Sequence, residues 1–187
     1  SNYDNMTGLN NRNYIESKLD QLNQSENIGI VSLDLNGLKA NNDYLGHERG
    51  DYLLKSLSTK IKLVMTDYDN KEMARIGGDE FLITILDANE DTLKTIKDRI
   101  LAECESEDLE ELVSVSIGTA FSVKKSNIFT LIQEADADMY AMKKMTSKVY
   151  SEKIVEYAKK KDKYIRLTIP LQYNSLYCIL ITPYITP

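Results

Sequence analysis

Asp79 and Glu80 are adjacent carboxylates set between two apolar runs, in the segment Arg75-Ile76-Gly77-Gly78-Asp79-Glu80-Phe81-Leu82. Side by side on a turn, such groups suit metal and phosphate chemistry, because hard carboxylate oxygens are good ligands for Mg²⁺. Met73, Ala74 and Ile76 lead in, and Phe81, Ile83 and Ile85 alternate on the way out. This pattern predicts a β-hairpin from about Met73 to Leu86 with Gly77-Gly78-Asp79-Glu80 at its tip. Glycine's tolerance of positive φ would suit that tip. Taken alone, these four residues mean no more than an ordinary hairpin turn. A third carboxylate changes that.

Ile28, Ile30, Val31, Leu33 and Leu35 form a nearly continuous apolar run, as expected of a central strand covered on both faces, and Asp34 interrupts it near its end. A carboxylate in that place is costly unless it is paired or metal-bound. If the strand lies beside the hairpin, Asp34 and Asp79 can face each other and hold Mg²⁺ jointly, with a backbone carbonyl such as that of Leu35 assisting. That geometry belongs to two-metal phosphoryl transfer.

The elements that must position these groups are readable from periodicity. Asn10 to Leu22 predicts a short helix before the first strand. A longer helix is expected after His47, where Leu54, Leu57, Ile61, Val64 and Met65 make a core-facing stripe. Asn89 caps a helix with Glu90 and Asp91 in its first turn and Leu93, Ile96 and Ile100 inward. Val113, Val115 and Ile117 alternate with Ser114 and Ser116 and stop at Gly118, a half-buried strand. From Asn127, the residues Ile128, Leu131, Ile132, Ala135, Met139 and Met142 form a last helical stripe. This order predicts an α/β sandwich of the α+β kind, with a mostly antiparallel central sheet flanked by helices on both faces.

With 187 residues, 42% of them hydrophobic, the chain can bury a sizeable core as one domain. The net charge of −6 is uneven: residues 1–150 carry 17 basic and 26 acidic side chains, and residues 151–187 carry 6 and 3. An acidic body argues against a nucleic-acid polymer as partner. It leaves nucleotides open, since Mg²⁺ can bridge carboxylates to phosphates. Cys104 and Cys178 have no metal or redox spacing, which suits a reducing, cytoplasmic setting. No run approaches the roughly 18–20 apolar residues of a membrane span and no secretory signal opens the chain, so no membrane contact is expected of this segment. Ser1-Asn2 leaves room for an upstream sensor region. Residues 151–187 hold all three prolines (Pro170, Pro183 and Pro187) and many tyrosines and β-branched residues beyond Lys159-Lys160-Lys161. This C-terminal extension could add an edge strand or cover a partner surface.

Five ordered segments now share family-like spacing: DNMTGLNNR (4–12), LDLNGLKANNDYLGHERGD (33–51), RIGGDEF (75–81), SVSIGTA (114–120) and ADADMYAMK (135–143). Across about residues 4–150 the chain closely resembles the GGDEF family of diguanylate cyclases. The resemblance implies a palm-like fold related to nucleotidyl cyclases and polymerases, and condensation of two GTP molecules into cyclic di-GMP and pyrophosphate. It also implies Mg²⁺ (or Mn²⁺) as cofactor and a transient homodimer in which two bound GTP molecules meet. Carried over residue by residue, Asp34, Asp79 and the Leu35 carbonyl match the metal ligands, and Glu80 matches the acidic residue that assists deprotonation of the attacking 3′-hydroxyl. Gly37, Leu38 and Lys143 match phosphate contacts, with Lys39 a second basic candidate. Asn42 and Asp51 match the guanine-reading pair, because a carboxylate accepts guanine's N1–H and N2–H together whereas adenine offers an acceptor at N1. By position alone Asp51 is better read as an acidic residue favoured near a helix start, a preference that the other motifs reverse, and His47 suits packing or hydrogen bonding beside Gly46 better than catalysis.

The chain departs from the family in three places. Asn36 replaces a second aspartate common two positions after the first, which weakens local charge without removing a metal ligand. Ser147 stands where many members have an arginine in a glycine-arginine-asparagine ending, so the phosphate grip or the closing loop is expected to be weaker. An inhibitory product site of the arginine-x-x-aspartate type is absent from residues 68–71, which read Tyr68-Asp69-Asn70-Lys71. The alternative to a cyclase is a weakly active or inactive relative serving as a receptor for GTP or cyclic di-GMP. A remoter one is an interaction module built on the tyrosine-rich tail.

Overall fold

The computed structural model describes residues 2–181, with side chains to Lys163. In chain order the elements are β1 (Asn10–Asn11), α1 (Arg12–Asn23), β2 (Ile28–Leu35), α2 (Leu38–Leu45), α3 (His47–Met65), β3 (Lys71–Arg75), β4 (Glu80–Ile85), α4 (Glu90–Cys104), β5 (Val115–Ser122) and α5 (Ile128–Ile181). The five strands form one sheet in the order β1-β3-β4-β2-β5. Its pairs are antiparallel except β1 with β3, so the sheet is mixed, with the mostly antiparallel character expected.

β2 is central and buried along all eight residues. Its alternation feeds two cores. Val31, Leu33 and Leu35 face the α3 and α4 side with Phe81, Ile83, Leu57, Ile61 and Ile96. Ile28 and Ile30 face the α1 and α5 side with Leu82, Ile15, Leu131 and Ala135. Each such side chain contributes roughly 1.5–3 kcal/mol by leaving water. The same parity carries Ser32 and Asp34 onto the α1 and α5 face.

Several expectations need correction. α2 was not anticipated. β5 does not stop at Gly118 but continues to Ser122. A Cβ on Gly118 would collide with backbone atoms of Ala135 and Met139, so this glycine admits α5 against the strand. Ser116, expected on a half-buried strand's polar face, is fully buried. Gly77 and Gly78 are not among the residues with positive φ. Gly77 instead leaves room for the Glu80 side chain, which a Cβ there would strike. No edge strand forms after residue 150 among the described residues, because α5 continues through Ile181. Ile154 and Ala158 of that stretch are buried. The tail's tyrosines from Tyr164 onward lie outside the residues whose side chains are described.

Two guanidinium groups fix the hairpin tip. Arg75 donates from Nη2 and Nε to the Gly78 carbonyl, at 2.7 and 3.2 Å, and its Nη1 meets the Asp4 carboxylate at 3.3 Å. Arg12 donates to the Ile76 carbonyl at 2.8 Å, so it braces the hairpin as well as opening α1. Asp4 in turn accepts from the Thr7 amide and hydroxyl. Burial pushes the Asp4 carboxyl up, but the Thr7 bonds and Arg75 outweigh it and hold it below its ordinary range.

Two outcomes follow for stability. Gly118→Ala should destabilise the fold by about 3 kcal/mol, because the added methyl meets α5 backbone that cannot rotate away, and the shift in urea midpoint at constant slope measures it. Asp4→Asn should cost about 1 kcal/mol at neutral pH. A carboxyl whose folded pKa is depressed contributes above its unfolded value, near 3.8, and loses that contribution as acid titrates the folded group. The gap between wild type and Asp4→Asn in denaturant titrations should therefore close below that pH.

Candidate active site

The last residues of β2 and the first of β4 bring the acidic groups together. Asp34 pairs across the sheet with Glu80 on one side and Ser116 on the other. The Leu35 amide donates to the Asp79 carbonyl at 2.9 Å, which joins the strand end to the hairpin tip. Asp34 is 2% exposed, Asp79 is half-buried and Glu80 is exposed. Burial pushes the Asp34 carboxyl above its ordinary value, and the charges of Asp79 and Glu80 push the same way against the pull of Lys143. Lys143 reaches in from α5 and donates to Asp34 Oδ2 at 2.6 Å. Burial alone would lower the Lys143 ammonium's pKa, but Asp34, Asp79 and Glu80 more than reverse this.

The other carboxylate oxygen, Asp34 Oδ1, is buried and has no hydrogen-bond partner among the described residues. An orphaned anionic oxygen of this kind calls for a cation. No cluster of three or more acidic, histidine or cysteine side chains forms a self-sufficient metal cage among the described residues. Two carboxylates plus a backbone carbonyl nonetheless fit Mg²⁺, which commonly binds through one or two carboxylates and completes its shell with water and substrate phosphate. Asp34, Asp79 and the Leu35 carbonyl would be the donors of such a set.

Beyond Asp34 the chain turns through Asn36 and Gly37, the latter at φ 67°, into α2. No side chain caps α2, so the amides around Gly37 and Leu38 are not occupied by a capping group at the helix's positive end, where anions are favoured. Lys39 is exposed in the first turn. Asn42 and Asp51 come from α2 and α3, which meet at Gly50, where any Cβ would strike the Asn42 side chain. Asn42 Oδ1 is buried without a partner among the described residues. Asp51 is the fifth residue of α3, and Glu48 is the acidic residue in its first turn. The helix dipole fades beyond that turn, which weakens helix-start placement as the reason for Asp51. His47 is exposed at the first position of α3, so it does not pack into the core.

Asn36 does more than lower the local charge. It is 1% exposed and its amide donates to Ser114 Oγ at 3.1 Å and Thr146 Oγ1 at 3.4 Å, while its oxygen accepts from Ser116 at 2.9 Å. It ties β2, β5 and α5 together beside Asp34. Ser147 is half-buried, and its carbonyl accepts from the Ser151 hydroxyl. At the start of β3, Lys71 bonds back to the Tyr68 carbonyl and Tyr68 packs against the core, while the neighbouring Asp67 pairs with Arg99 of α4 at 2.9 Å. Cys104 is buried, and burial pushes its thiol to about 12, so it takes no part in this chemistry.

The chain that carries this site is similar to known proteins. Residues 1–148 match the family model described as "Diguanylate cyclase, GGDEF domain". The chain is 36% identical to the cyclic di-GMP phosphodiesterase PdeR of Escherichia coli (strain K12), over 76% of this chain and 22% of PdeR. It is 30% identical to the diguanylate cyclase DgcS of Shewanella oneidensis, over 75% of this chain and 49% of DgcS. The chain thus spans about a fifth of the first relative and half of the second. The crystal structure of the GGDEF domain of DgcB from Caulobacter crescentus in complex with c-di-GMP superposes with a TM-score of 0.71 at 25% identity, covering 77% of this chain and 91% of that one. With a family match over the sheet, both helical layers and every acidic residue of the site, the chain belongs to the GGDEF diguanylate cyclase domain family.

Proposed function

We propose that this chain condenses two GTP molecules into cyclic di-GMP and pyrophosphate. The observation that carries this reading is the buried, unpartnered Asp34 Oδ1 beside Asp79 and Glu80, with the uncapped start of α2 following on the same chain turn. In each half-reaction a 3′-hydroxyl oxygen attacks an α-phosphorus, the bond to pyrophosphate breaks, and the hydroxyl proton passes towards Glu80. Asp34, Asp79 and the Leu35 carbonyl would hold Mg²⁺ or Mn²⁺, which when bound neutralises developing charge on the phosphates. Gly37 and Leu38 receive phosphate oxygens through backbone amides, with Lys39 and Lys143 adding positive charge. Asn42 and Asp51 read the guanine edge.

Residues 1–150 act as the catalytic domain in this proposal, and residues 151–187 as an extension of it. Two copies meet transiently because each supplies one GTP. No helix among the described residues is long and apolar enough to cross a membrane. We infer a cytoplasmic setting, with the domain as part of a larger sensor. A second reading, a receptor for GTP or cyclic di-GMP with little turnover, is favoured by one observation: the Lys143 ammonium already occupies one oxygen of Asp34. Incubating the purified chain with Mg²⁺ and GTP and identifying products by mass separates the two. Cyclic di-GMP supports the cyclase, whereas retained GTP with tight nucleotide binding supports the receptor.

Asp34→Ala and Asp79→Ala should each lower turnover by about three decades, roughly 4 kcal/mol of transition-state stabilisation, with the fold retained by circular dichroism. Near wild-type synthesis by either variant would overturn their assignment as metal ligands. Asp51→Ser should erode the preference for GTP over ATP, because the two-bond acceptor for guanine is lost while a hydroxyl can serve either purine. Comparing kcat/KM for the two nucleotides checks it, and an unchanged ratio would return Asp51 to a structural role.

A further inference from the structure

The residue that carries the inference lies just past the family match, at the point where α5 leaves the domain's shared length. Tyr150 is 4% exposed. Its ring lies so close beneath Gly37 that a Cβ on that glycine would sit 2.8 Å from Cδ1 and 3.0 Å from Cε1, with Ser151 Oγ at 3.3 Å. Gly37 holds φ 67° there, in the left-handed region that suits glycine. The turn is thus shaped by two constraints at once, its backbone torsion and the face of an aromatic ring.

The same side chain reaches the residues around the expected base-reading pair. Asn41 and Arg49 lie near its hydroxyl, which is buried and makes no hydrogen bond among the described residues. Asn41 is fully buried and donates from Nδ2 to the Gly37 carbonyl at 2.9 Å, while its backbone amide donates to the same oxygen at 3.0 Å. Arg49 immediately precedes Gly50, whose missing Cβ makes space for Asn42. It also donates to the carbonyls of Glu110 and Leu109, at 2.6 and 3.1 Å. Glu110 is gripped in turn by Tyr157 and Lys161, further along α5. One stretch of α5, residues 150–161, therefore touches the α2 turn directly and the start of α3 through Arg49.

We propose that Tyr150 is a positioning residue for the nucleotide: its ring holds the Gly37 turn in the shape that presents the α2 amides to the GTP phosphates. This rests on the reading of Gly37 and Leu38 as phosphate contacts. Tyr150 touches no substrate itself. Its loss should therefore weaken binding of the phosphate chain while the chemistry, once substrate is bound, proceeds at nearly the same rate.

The test uses the full chain with Mg²⁺ and measures the affinity for a non-hydrolysable GTP analogue and for guanosine, together with KM and kcat for GTP. Tyr150→Ala should weaken the analogue about ten-fold and raise KM in step, with kcat and guanosine affinity changed less than about three-fold. Gly37→Ala should show a similar loss. The double variant should lose less than the product of the two, because removing the ring frees the space that the new methyl needs while only the torsional cost at φ 67° remains. Tyr150→Phe keeps the ring and should bind the analogue within about three-fold of wild type, which serves where Tyr150→Ala does not fold. Wild-type affinity in Tyr150→Ala, additive losses in the double variant, or a ten-fold loss in Tyr150→Phe would each overturn the proposal. A wild-type chain that binds no GTP at all would instead overturn the cyclase and receptor readings on which it rests.

Discussion

Asp34 keeps a carboxylate inside the sheet at 2% exposure, and an uncompensated charge there would cost several kcal/mol, a large share of a domain's net stability. What surrounds it answers only part of that cost. Lys143 supplies one cation, Glu80 across the sheet adds like charge, and next to Asp34 the side chain of Asn36 closes the strand end with three hydrogen bonds to Ser114, Ser116 and Thr146. These contacts draw in β2, β4, β5 and α5. The site and the fold are therefore stabilised and strained by the same group, and the remaining free oxygen of Asp34 is where the strain persists.

The hairpin tip shows a second way of holding acidic residues. Arg12 and Arg75 grip main-chain carbonyls at Ile76 and Gly78 instead of the carboxylates of Asp79 and Glu80. Had either guanidinium paired with those carboxylates, the negative charge would have been consumed locally. Donation to carbonyls fixes the backbone while leaving the acidic side chains outside these bonds. Positive charge at the tip thus acts on position, and negative charge remains for ligands.

Much of this was legible in the chain. The apolar runs of β2 and β4, the stripe of α3 and the capped start of α4 follow directly from period and capping chemistry, as Leu57, Ile61, Phe81 and Asn89 show. The approach of Asp34 to the hairpin followed once the two strands were taken as neighbours. Three things were not legible. α2 contains two asparagines and an aspartate in eight residues, types that favour turns and caps over helix interiors, and it spans barely two turns, so its composition does not mark it as helix. Ser116 and Asn36 are polar by type but buried by their bonds to each other, and a hydrophobicity pattern cannot distinguish a satisfied buried amide from a solvated one. Gly118 resembles a strand terminator because the backbone that needs its space belongs to residues far along the chain.

The close seat of α5 on Gly118 also governs which changes of length the domain can absorb. Ala135 and Met139 press on the glycine, and Lys143, Thr146 and Tyr150 follow on the same uninterrupted helix. Each residue of an α-helix turns the next by about 100°. One residue gained or lost between Met139 and Lys143 would swing the ammonium from Asp34, the hydroxyl from Asn36 and the ring from Gly37 together, with no bend in which to absorb the error. The segment between α4 and β5 has no helical phase to keep, and is held instead at single points, Glu110 and Ser114. In this protein, then, the numbering of α5 is under tighter constraint than much of its spelling.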